Sequence, residues 1–284
     1  MSTTKKDWSW EISATSSDWS WNAKDLWQYR HLLFSLIRRN FLLNSQQTIL
    51  GPFWTLLQPL LTLFIYVLVF GKMVGISTGS LPPVLFYFSG IVLWNFFNDS
   101  FLENSNSFRD NLYLFSKVYF PRIIMPFSIA STHFLRMLIQ LFFLFVLIFF
   151  YSATKGFDIP FSLWTFAFPL SILMVGSLGF GMGLICSVFT AKYRDLSHIV
   201  VIGIRLLMFV TPVIYPLASI KNHFQWIVKL NPLTPFFELF RFSMLGEGSV
   251  DLTQLLISGL FIVIVTITGL LLFNRSGNKL IDTV

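Results

Sequence analysis

Three polar side chains lie within an otherwise apolar stretch of this chain and are its first candidates for function. His133, Arg136 and Gln140 are spaced i, i+3 and i+7, so an α-helix places them on one face. An arginine at the centre of a membrane span costs about 2.5 to 3.5 kcal/mol on insertion scales. We therefore expect this face to point into a helix bundle, where it lines a water-filled path or anchors neighbouring helices.

The sequence offers no set of residues for catalysis or metal binding. It contains no G-x-x-x-x-G-K-[ST] phosphate loop, so we do not expect the chain to hydrolyse ATP by itself. No nucleophile, base and acid stand together, which disfavours a membrane-embedded enzyme. The histidines fall on different segments, and none has a second ligand at metal spacing. They are His31, His133, His198 and His223.

The elements that position these residues are membrane helices. Hydrophobic residues make up 55% of the 284 residues and charged residues only 12%, too little charge to cover a soluble protein of this size. The apolar runs are continuous, which favours helices over a β-barrel. Since about 20 apolar residues cross a bilayer, we predict an all-α polytopic membrane protein with six spans. These are Gly51–Phe70, Pro83–Leu102, Pro121–Phe150, Phe161–Phe189, His198–Tyr215 and Leu252–Phe273.

Lysine and arginine residues are distributed unevenly over the segments between these spans. Most of them fall on the side that holds both termini, and the positive-inside rule makes that side the cytoplasm. The net charge of +7 then reflects topology and anionic lipid headgroups, and gives no reason to expect nucleic acid as a partner. The single cysteine, Cys186, excludes a disulfide framework.

The segments outside the spans divide the chain further. We predict an N-terminal cytoplasmic tail over 1–24, an amphipathic helix on the membrane surface over 25–50, and a transmembrane domain over 51–284. Within this domain, Pro216–Asp251 is too apolar for a free external loop. We expect it to re-enter the bilayer as two short helices broken at Asn231-Pro232 and shielded from lipid by the bundle.

Aromatic residues and glycines indicate two kinds of close contact. Gly179 and Gly183 have the small-xxx-small spacing that predicts close helix packing, in a cluster with Gly176 and Gly181. Flat aromatic rings can stack on the C–H faces of sugars and leave the hydroxyl groups wet. We therefore add five rings near span ends to the polar face as a predicted substrate path. They are Phe53, Trp54, Trp94, Phe96 and Phe97.

The order of several motifs along the chain resembles that in the permease subunit of ABC-2 type polysaccharide exporters. This group handles O-antigen and capsule polymers. The F-P-R, Y-R-D and N-P-L-T elements make the resemblance specific, and it extends from about Leu26 to Glu247. One departure follows Arg39, where the family's basic and tyrosine pattern is replaced by Asn40, Leu42, Asn44 and Ser45. The matching segments are Leu26–Leu33, Gln47–Leu60, Phe88–Phe97, Lys117–Pro126, Tyr193–Asp195, Pro212–Pro216 and Asn231–Arg241.

The resemblance implies a function and partners. Two copies of this chain would pair with two copies of a nucleotide-binding subunit that holds ATP and Mg²⁺. The assembly would move a lipid-linked polysaccharide from cytoplasm to periplasm across the bacterial inner membrane. Ser105–Tyr119 would be the coupling helix, and Pro216–Gly248 would guard the exit, with Pro232, Glu238 and Arg241 as its gate. The implied coupling residues are Arg109, Phe115, Lys117, Tyr193, Arg194 and Asp195.

Other functions stay open at this point. A related permease for teichoic-acid-type polymers would share the same motifs. An ion-coupled secondary transporter would normally show inverted repeats and more buried acidic residues. A membrane scaffold or scramblase would leave the polar face of His133, Arg136 and Gln140 without a use.

Overall fold

The computed structural model describes residues 27–43, 49–111, 120–157 and 163–281. Over these ranges the regular structure is helical, as predicted, and the predicted tail 1–24 and both chain ends lie outside them. The α-helices are α1 (Arg30–Leu43), α2 (Trp54–Tyr66), α3 (Pro83–Ser105), α4 (Ile124–Lys155), α5 (Phe168–Lys192), α6 (Leu196–Val210), α7 (Asn222–Leu230), α8 (Thr234–Leu245) and α9 (Leu252–Ile281).

Among the described residues, four helical segments are long and apolar enough to cross a membrane, and they coincide with the first, third, fourth and sixth predicted spans. They are Gly51–Met73, Ile124–Lys155, Trp164–Lys192 and Leu252–Ser276. The second predicted span corresponds to α3. The fifth corresponds to α6, which ends at Val210 rather than at Tyr215. Thr211 is extended there because it precedes Pro212, and a residue before proline is disfavoured in a helix.

The first of these segments is continuous but irregular. It begins with a 3₁₀ turn at Gly51–Phe53, continues through α2 and ends in a π-helical stretch at Val67–Met73. Pro59 lies inside α2 and is buried. Because proline has no N–H, it cannot bond the carbonyl group of Thr55 one turn earlier. That carbonyl group is therefore free to accept a hydrogen bond from another helix.

Helix α5 is packed tightly between α3 and α9. A Cβ atom added at Gly183 would lie 2.6 Å from Asn104 Cβ of α3, and one added at Gly181 would lie 2.7 Å from Thr266 Cα of α9. Only glycine permits helix backbones to approach this closely. The prediction of close packing from the glycine spacing is therefore confirmed. We call these two lines of contact the glycine seams.

Several helix ends meet in one small apolar cluster apart from the main core, which we call the end cluster. Leu36 of α1 belongs to it, and the ring of Phe108, just beyond α3, stacks on Phe273 of α9 with centroids 4.1 Å apart. Helix α1 therefore lies where α3 and α9 end and α4 begins. The buried members are Leu36, Phe108, Phe120, Ile124, Met125, Phe180, Leu184 and Phe273.

The predicted pair of short helices is formed by α7 and α8, with the break at the expected position. Asn231 Oδ1 accepts a hydrogen bond from the backbone N–H of Leu233 at 3.0 Å, and Asn231 Nδ2 donates to Thr211 Oγ1 at 2.8 Å. Pro232 has no N–H to continue a helix. Most of α8 is buried against α3 and α5, and α8 ends where Gly246 adopts φ +78°, a left-handed conformation typical of a helix terminus.

Candidate functional site

The contact between α3 and α4 is polar along one line. The two helices are antiparallel, since Asn95 and Glu103 of α3 pair with Gln140 and His133 of α4 in reverse order. Asn95 Nδ2 donates to Gln140 Oε1 at 3.5 Å, and Glu103 Oε2 lies 2.9 Å from His133 Nε2. His133 and Gln140 are both buried. We call this line of contacts the polar seam.

Between these two pairs the polar seam opens into a cavity of about 320 Å³. Asp99 of α3 and Arg136 of α4 both face it, and Asn98 Nδ2 donates to Asp99 Oδ1 at 2.8 Å. Side chains of α1 and of the start of α2 close the other side. The lining residues are Phe41, Gly51, Pro52, Trp54, Thr55, Gln58, Pro59, Asn95, Asn98, Asp99, Arg136 and Gln140.

The proline in α2 explains how one wall of this cavity is held. Gln140 Nε2 donates to the carbonyl oxygen of Thr55 at 3.4 Å, which is the group that Pro59 leaves without its helical partner. Gln140 thus contacts α2 and α3 at the same time. Both of its hydrogen bonds are longer than the usual 2.9 to 3.0 Å and are correspondingly weak.

A second polar recess of about 300 Å³ lies one helical turn further along α3, beside Glu103. Arg39 and Asn40 of α1 form part of its wall, so the position where the sequence departs from the related exporters faces the polar seam. The other lining residues are Ser107, Asp110, Asn111, Met125 and Ile129. The cavity and this recess thus follow one another along α3, and α1 borders both of them.

The structure brings together only part of the predicted substrate path. Trp54, Arg136 and Gln140 line the cavity, and His133 lies at the next level of the polar seam. Phe53 is exposed on the surface of the chain and does not line the cavity. The remaining three rings are buried on other faces of α3, with Phe96 and Phe97 against α5. They are Trp94, Phe96 and Phe97.

The predicted exit residues lie in a separate polar site. Arg241 is fully buried, and its guanidinium group donates to the carbonyl oxygens of Pro212 at 2.6 Å and Val213 at 3.0 Å. Glu238 Oε1 lies 3.8 Å from Arg241 Nη1, and its other oxygen accepts the N–H of Ser249 at 3.1 Å. The arginine therefore fixes the chain after α6 to α8. Pro232 lies apart from this pair, in the break before α8.

The described members of the predicted coupling set lie in two segments that start from neighbouring helix ends. The hydroxyl group of Thr190 in α5 donates to the carbonyl oxygen of Ser105, the last residue of α3. Arg109 follows in the short helical stretch 107–111 and pairs with Asp110 at 3.0 Å. The residues of the second loop are all exposed: Tyr193, Arg194 and Asp195. The predicted Phe115 and Lys117 lie outside the described residues.

The sequence analysis missed four polar residues of α3 that belong to the site. Asn95, Asp99 and Glu103 are spaced i, i+4 and i+8, with Asn98 beside them, so they share one helix face. The same spacing argument that singled out the face of α4 could have found them. Pairing the two faces needed the three-dimensional register of the helices.

These features define a class of protein: a polytopic helical membrane protein with a polar cavity inside its bundle. The chain belongs to the ABC-2 type transporter family, whose model matches residues 31–245. It is 27% identical over 244 residues to the O-antigen export system permease protein RfbA of Klebsiella pneumoniae, which covers 86% of this chain and 91% of that protein. It is 29% identical over 213 residues to the protein of the same name from Myxococcus xanthus, with 74% and 79% covered.

Proposed function

We propose that this chain is the permease subunit of an ATP-driven exporter that moves a lipid-linked polysaccharide of O-antigen or capsule type from cytoplasm to periplasm. The observation that carries this proposal is the ABC-2 family match over residues 31–245, together with O-antigen export permeases similar along most of their length. Two copies of the chain would form the path, and two nucleotide-binding subunits would bind ATP and Mg²⁺.

Six crossings of the inner membrane, with both termini in the cytoplasm, complete this proposal. The 23 residues of α3 span about 34 Å, enough for a hydrocarbon core of roughly 30 Å. Its polar residues do not oppose this, because α3 is buried by its neighbours along most of its length. The meeting of α1 with the end of α9 in the end cluster supports an even number of crossings. In this arrangement α6 crosses together with the extended residues that follow it.

The two loops beyond α3 and α5 suit contact with the nucleotide-binding subunit. They start side by side, and the second exposes an aromatic ring, a cation and an anion at Tyr193, Arg194 and Asp195. A partner that moves both loops would move α3 and α5 as one body, because the glycine seam joins these helices. Arg109, Phe115 and Lys117 complete the proposed contact surface.

At the opposite end, α7 and α8 are proposed to re-enter the membrane and guard the exit. The burial of α8 among α3 and α5 supports this, since backbone at membrane depth needs such cover. Arg241, held by Glu238 and two carbonyl groups, would couple this gate to the chain after α6. Pro232 would fix the turn between the two helices.

The proposed function is tested by deleting the gene that encodes this chain in its host. Deletion should abolish the surface glycan and leave polymer inside the cell, and the wild-type chain supplied in trans should restore export. Affinity purification from native membranes should recover a nucleotide-binding subunit, and the chain alone should show no ATPase activity. An unchanged surface glycan in the deletion strain contradicts the proposal. The chemistry of the stranded polymer distinguishes O-antigen or capsule from a teichoic-acid-type substrate.

A further inference from the structure

We propose that the cavity between α1, α2, α3 and α4 binds one uncharged sugar residue of the transported glycan within each copy of the chain. This inference rests on the proposed function and deepens it, because it assigns a site and a ligand class to one cavity. Four properties of the cavity support it: its size, its hydrogen-bonding groups, its apolar surface and its charge.

The size of the cavity suits a single sugar ring. Its volume of about 320 Å³ lies near the lower limit of the roughly 300 to 1,000 Å³ found for small-molecule sites. Helices α3 and α4 and the first turns of α2 form its walls. One sugar ring of the glycan can therefore enter the cavity while the rest of the glycan stays outside it.

The hydrogen-bonding groups of the cavity match sugar hydroxyl groups, which both donate and accept. Four carboxamide side chains line it, and each offers an N–H₂ donor and a C=O acceptor. They are Gln58, Asn95, Asn98 and Gln140. The bonds that Gln140 makes to Asn95 and Thr55 are 3.5 and 3.4 Å long. Because such long bonds are weak, a ligand hydroxyl group can replace them at small cost.

One wall supplies an apolar surface for the C–H face of a ring. Trp54 lines the cavity and is 44% exposed, so the described residues leave part of this side chain uncovered. Pro52 and Pro59 lie on the same α2 side. An amphipathic aromatic ring beside carboxamides presents apolar and polar surface together.

The charge of the cavity favours a neutral ligand over a phosphate. Its lining contains one cation, Arg136, and one anion, Asp99, so the formal charges cancel. The next recess is formally negative, with Glu103 and Asp110 against Arg39, which disfavours an anion still more. A diphosphate group would meet a carboxylate wherever it met a guanidinium group. A sugar hydroxyl group can bond to either of them.

A protection experiment tests this site directly. Cys186 is the only cysteine, so a Cys186→Ala background allows Thr55→Cys to be labelled selectively inside the cavity. Inside-out vesicles containing the chain and its nucleotide-binding subunit are treated with a membrane-impermeant maleimide. The probes are glucose, galactose, mannose, rhamnose and N-acetylglucosamine, with inorganic diphosphate as the anion. At about twice its Kd, a bound sugar should slow labelling about threefold, since protection follows 1 + [L]/Kd.

The control for labelling is Ile49→Cys in the same background. Ile49 is fully exposed and does not line the cavity, so sugars should leave its labelling rate unchanged. Protection of Thr55→Cys by diphosphate and by no sugar would overturn the inference in favour of an anion site. Absence of protection by every probe would overturn it as well.

A second measurement uses export in cells. Trp54→Ala should lower the surface glycan about fivefold, the equivalent of a ring contact of about 1 kcal/mol, whereas Trp54→Phe should retain most of the export. Phe64→Ala on the exposed side of α2 is the control and should export normally. Chain abundance and recovery of the nucleotide-binding subunit are measured for each variant, because a folding defect would lower both. Normal export by Trp54→Ala contradicts the inference.

The two proposals can fail separately. If deletion of the chain leaves the surface glycan unchanged, the proposed function is wrong. If deletion abolishes the glycan but no sugar protects Thr55→Cys, the permease function stands and the sugar site is wrong.

Discussion

On one face of α3, Phe97 and Asn104 meet glycines of α5 so closely that an added Cβ atom would lie 3.0 Å or less from them. On another face, Asn95 and Asp99 border a cavity of about 320 Å³, and Asn95 donates to Gln140 of α4 over 3.5 Å. The same helix thus joins a rigid contact to an adaptable one. Close backbone packing holds α3 to α5. Between α3 and α4, by contrast, lie polar side chains that can exchange their hydrogen-bond partners.

This difference assigns distinct roles to the two contacts. Packed helices have few alternative arrangements, so the glycine seams suit the transmission of movement as a rigid body. Polar side chains around a cavity can exchange one hydrogen-bond partner for a ligand or water. Substitutions in the glycine seams should therefore act mainly on folding, and those that line the cavity of the polar seam mainly on transport.

The largest effect on stability is expected from Gly269→Ala in the seam between α5 and α9. A Cβ atom there would lie 2.5 Å from the carbonyl oxygen of Gly181, and neither helix backbone can yield locally. Overpacking of this kind costs roughly 1 to 3 kcal/mol. Thermal unfolding of the purified complex in detergent should show a lower midpoint. Gly203→Ala, where the added Cβ atom meets nothing within 4 Å among the described residues, is the control and should keep the wild-type midpoint or raise it slightly.

The next largest effect concerns the pair of Glu103 and His133 in the polar seam. Glu103→Gln and His133→Gln should each cost about 1 to 2 kcal/mol, because each removes one side of the contact between the buried imidazole and the carboxylate. The double variant should cost less than the sum, with a coupling of about 1 kcal/mol. Unfolding midpoints of the four proteins measure this cycle. Strict additivity would contradict a direct interaction between the two residues.

A smaller effect is expected from Gly176→Ala, although the nearest atom is again only 2.6 Å away. Here the added Cβ atom meets the far end of the Phe96 ring rather than a backbone. That ring borders an apolar groove of about 560 Å³ between α4 and α5 and can turn into it. A shifted rotamer costs about 0.5 to 1.5 kcal/mol. Adding Phe96→Leu should recover stability, and a failure to recover would show that the backbones themselves collide.

The smallest effect on stability, but not on function, is expected from Arg194→Glu, which lies outside both kinds of seam. Arg194 is exposed, so its substitution should change the free energy of unfolding by no more than about 0.5 kcal/mol. In the proposed exporter it should uncouple ATP hydrolysis from export. Reconstituted vesicles report hydrolysis and transport side by side. Wild-type coupling would rule out a role for Arg194 in the contact with the ATPase.

The sequence was sufficient for features that depend on local pattern. The apolar runs predicted the four strongest spans, the glycine spacing predicted the approach of α5 to its neighbours, and Asn231-Pro232 predicted the break between α7 and α8. The face of His133, Arg136 and Gln140 does point into the bundle. Each of these follows from periodicity, side-chain volume or the missing N–H of proline.

Features that depend on register between helices could not be predicted in the same way. The spacing of Asn95, Asp99 and Glu103 is visible in the sequence, but the partners of Asn95 and Glu103 on α4 appear only when the two helices lie antiparallel. The rings of Phe96 and Phe97 looked like candidates for a path, yet they face glycines of α5. The helix of the fifth predicted span ends at Val210 rather than Tyr215, because Pro212 disfavours a helical conformation at Thr211.

The ring stack of Phe108 on Phe273 has a practical consequence for anyone who labels this protein. It joins the segment that leaves α3 to the last helix, close to the carboxyl-terminal end of the chain. A fluorophore attached to α9 near Phe273 would lie beside the segment proposed to contact the nucleotide-binding subunit. Such a label would report movement of that segment, and a bulky one would hinder it.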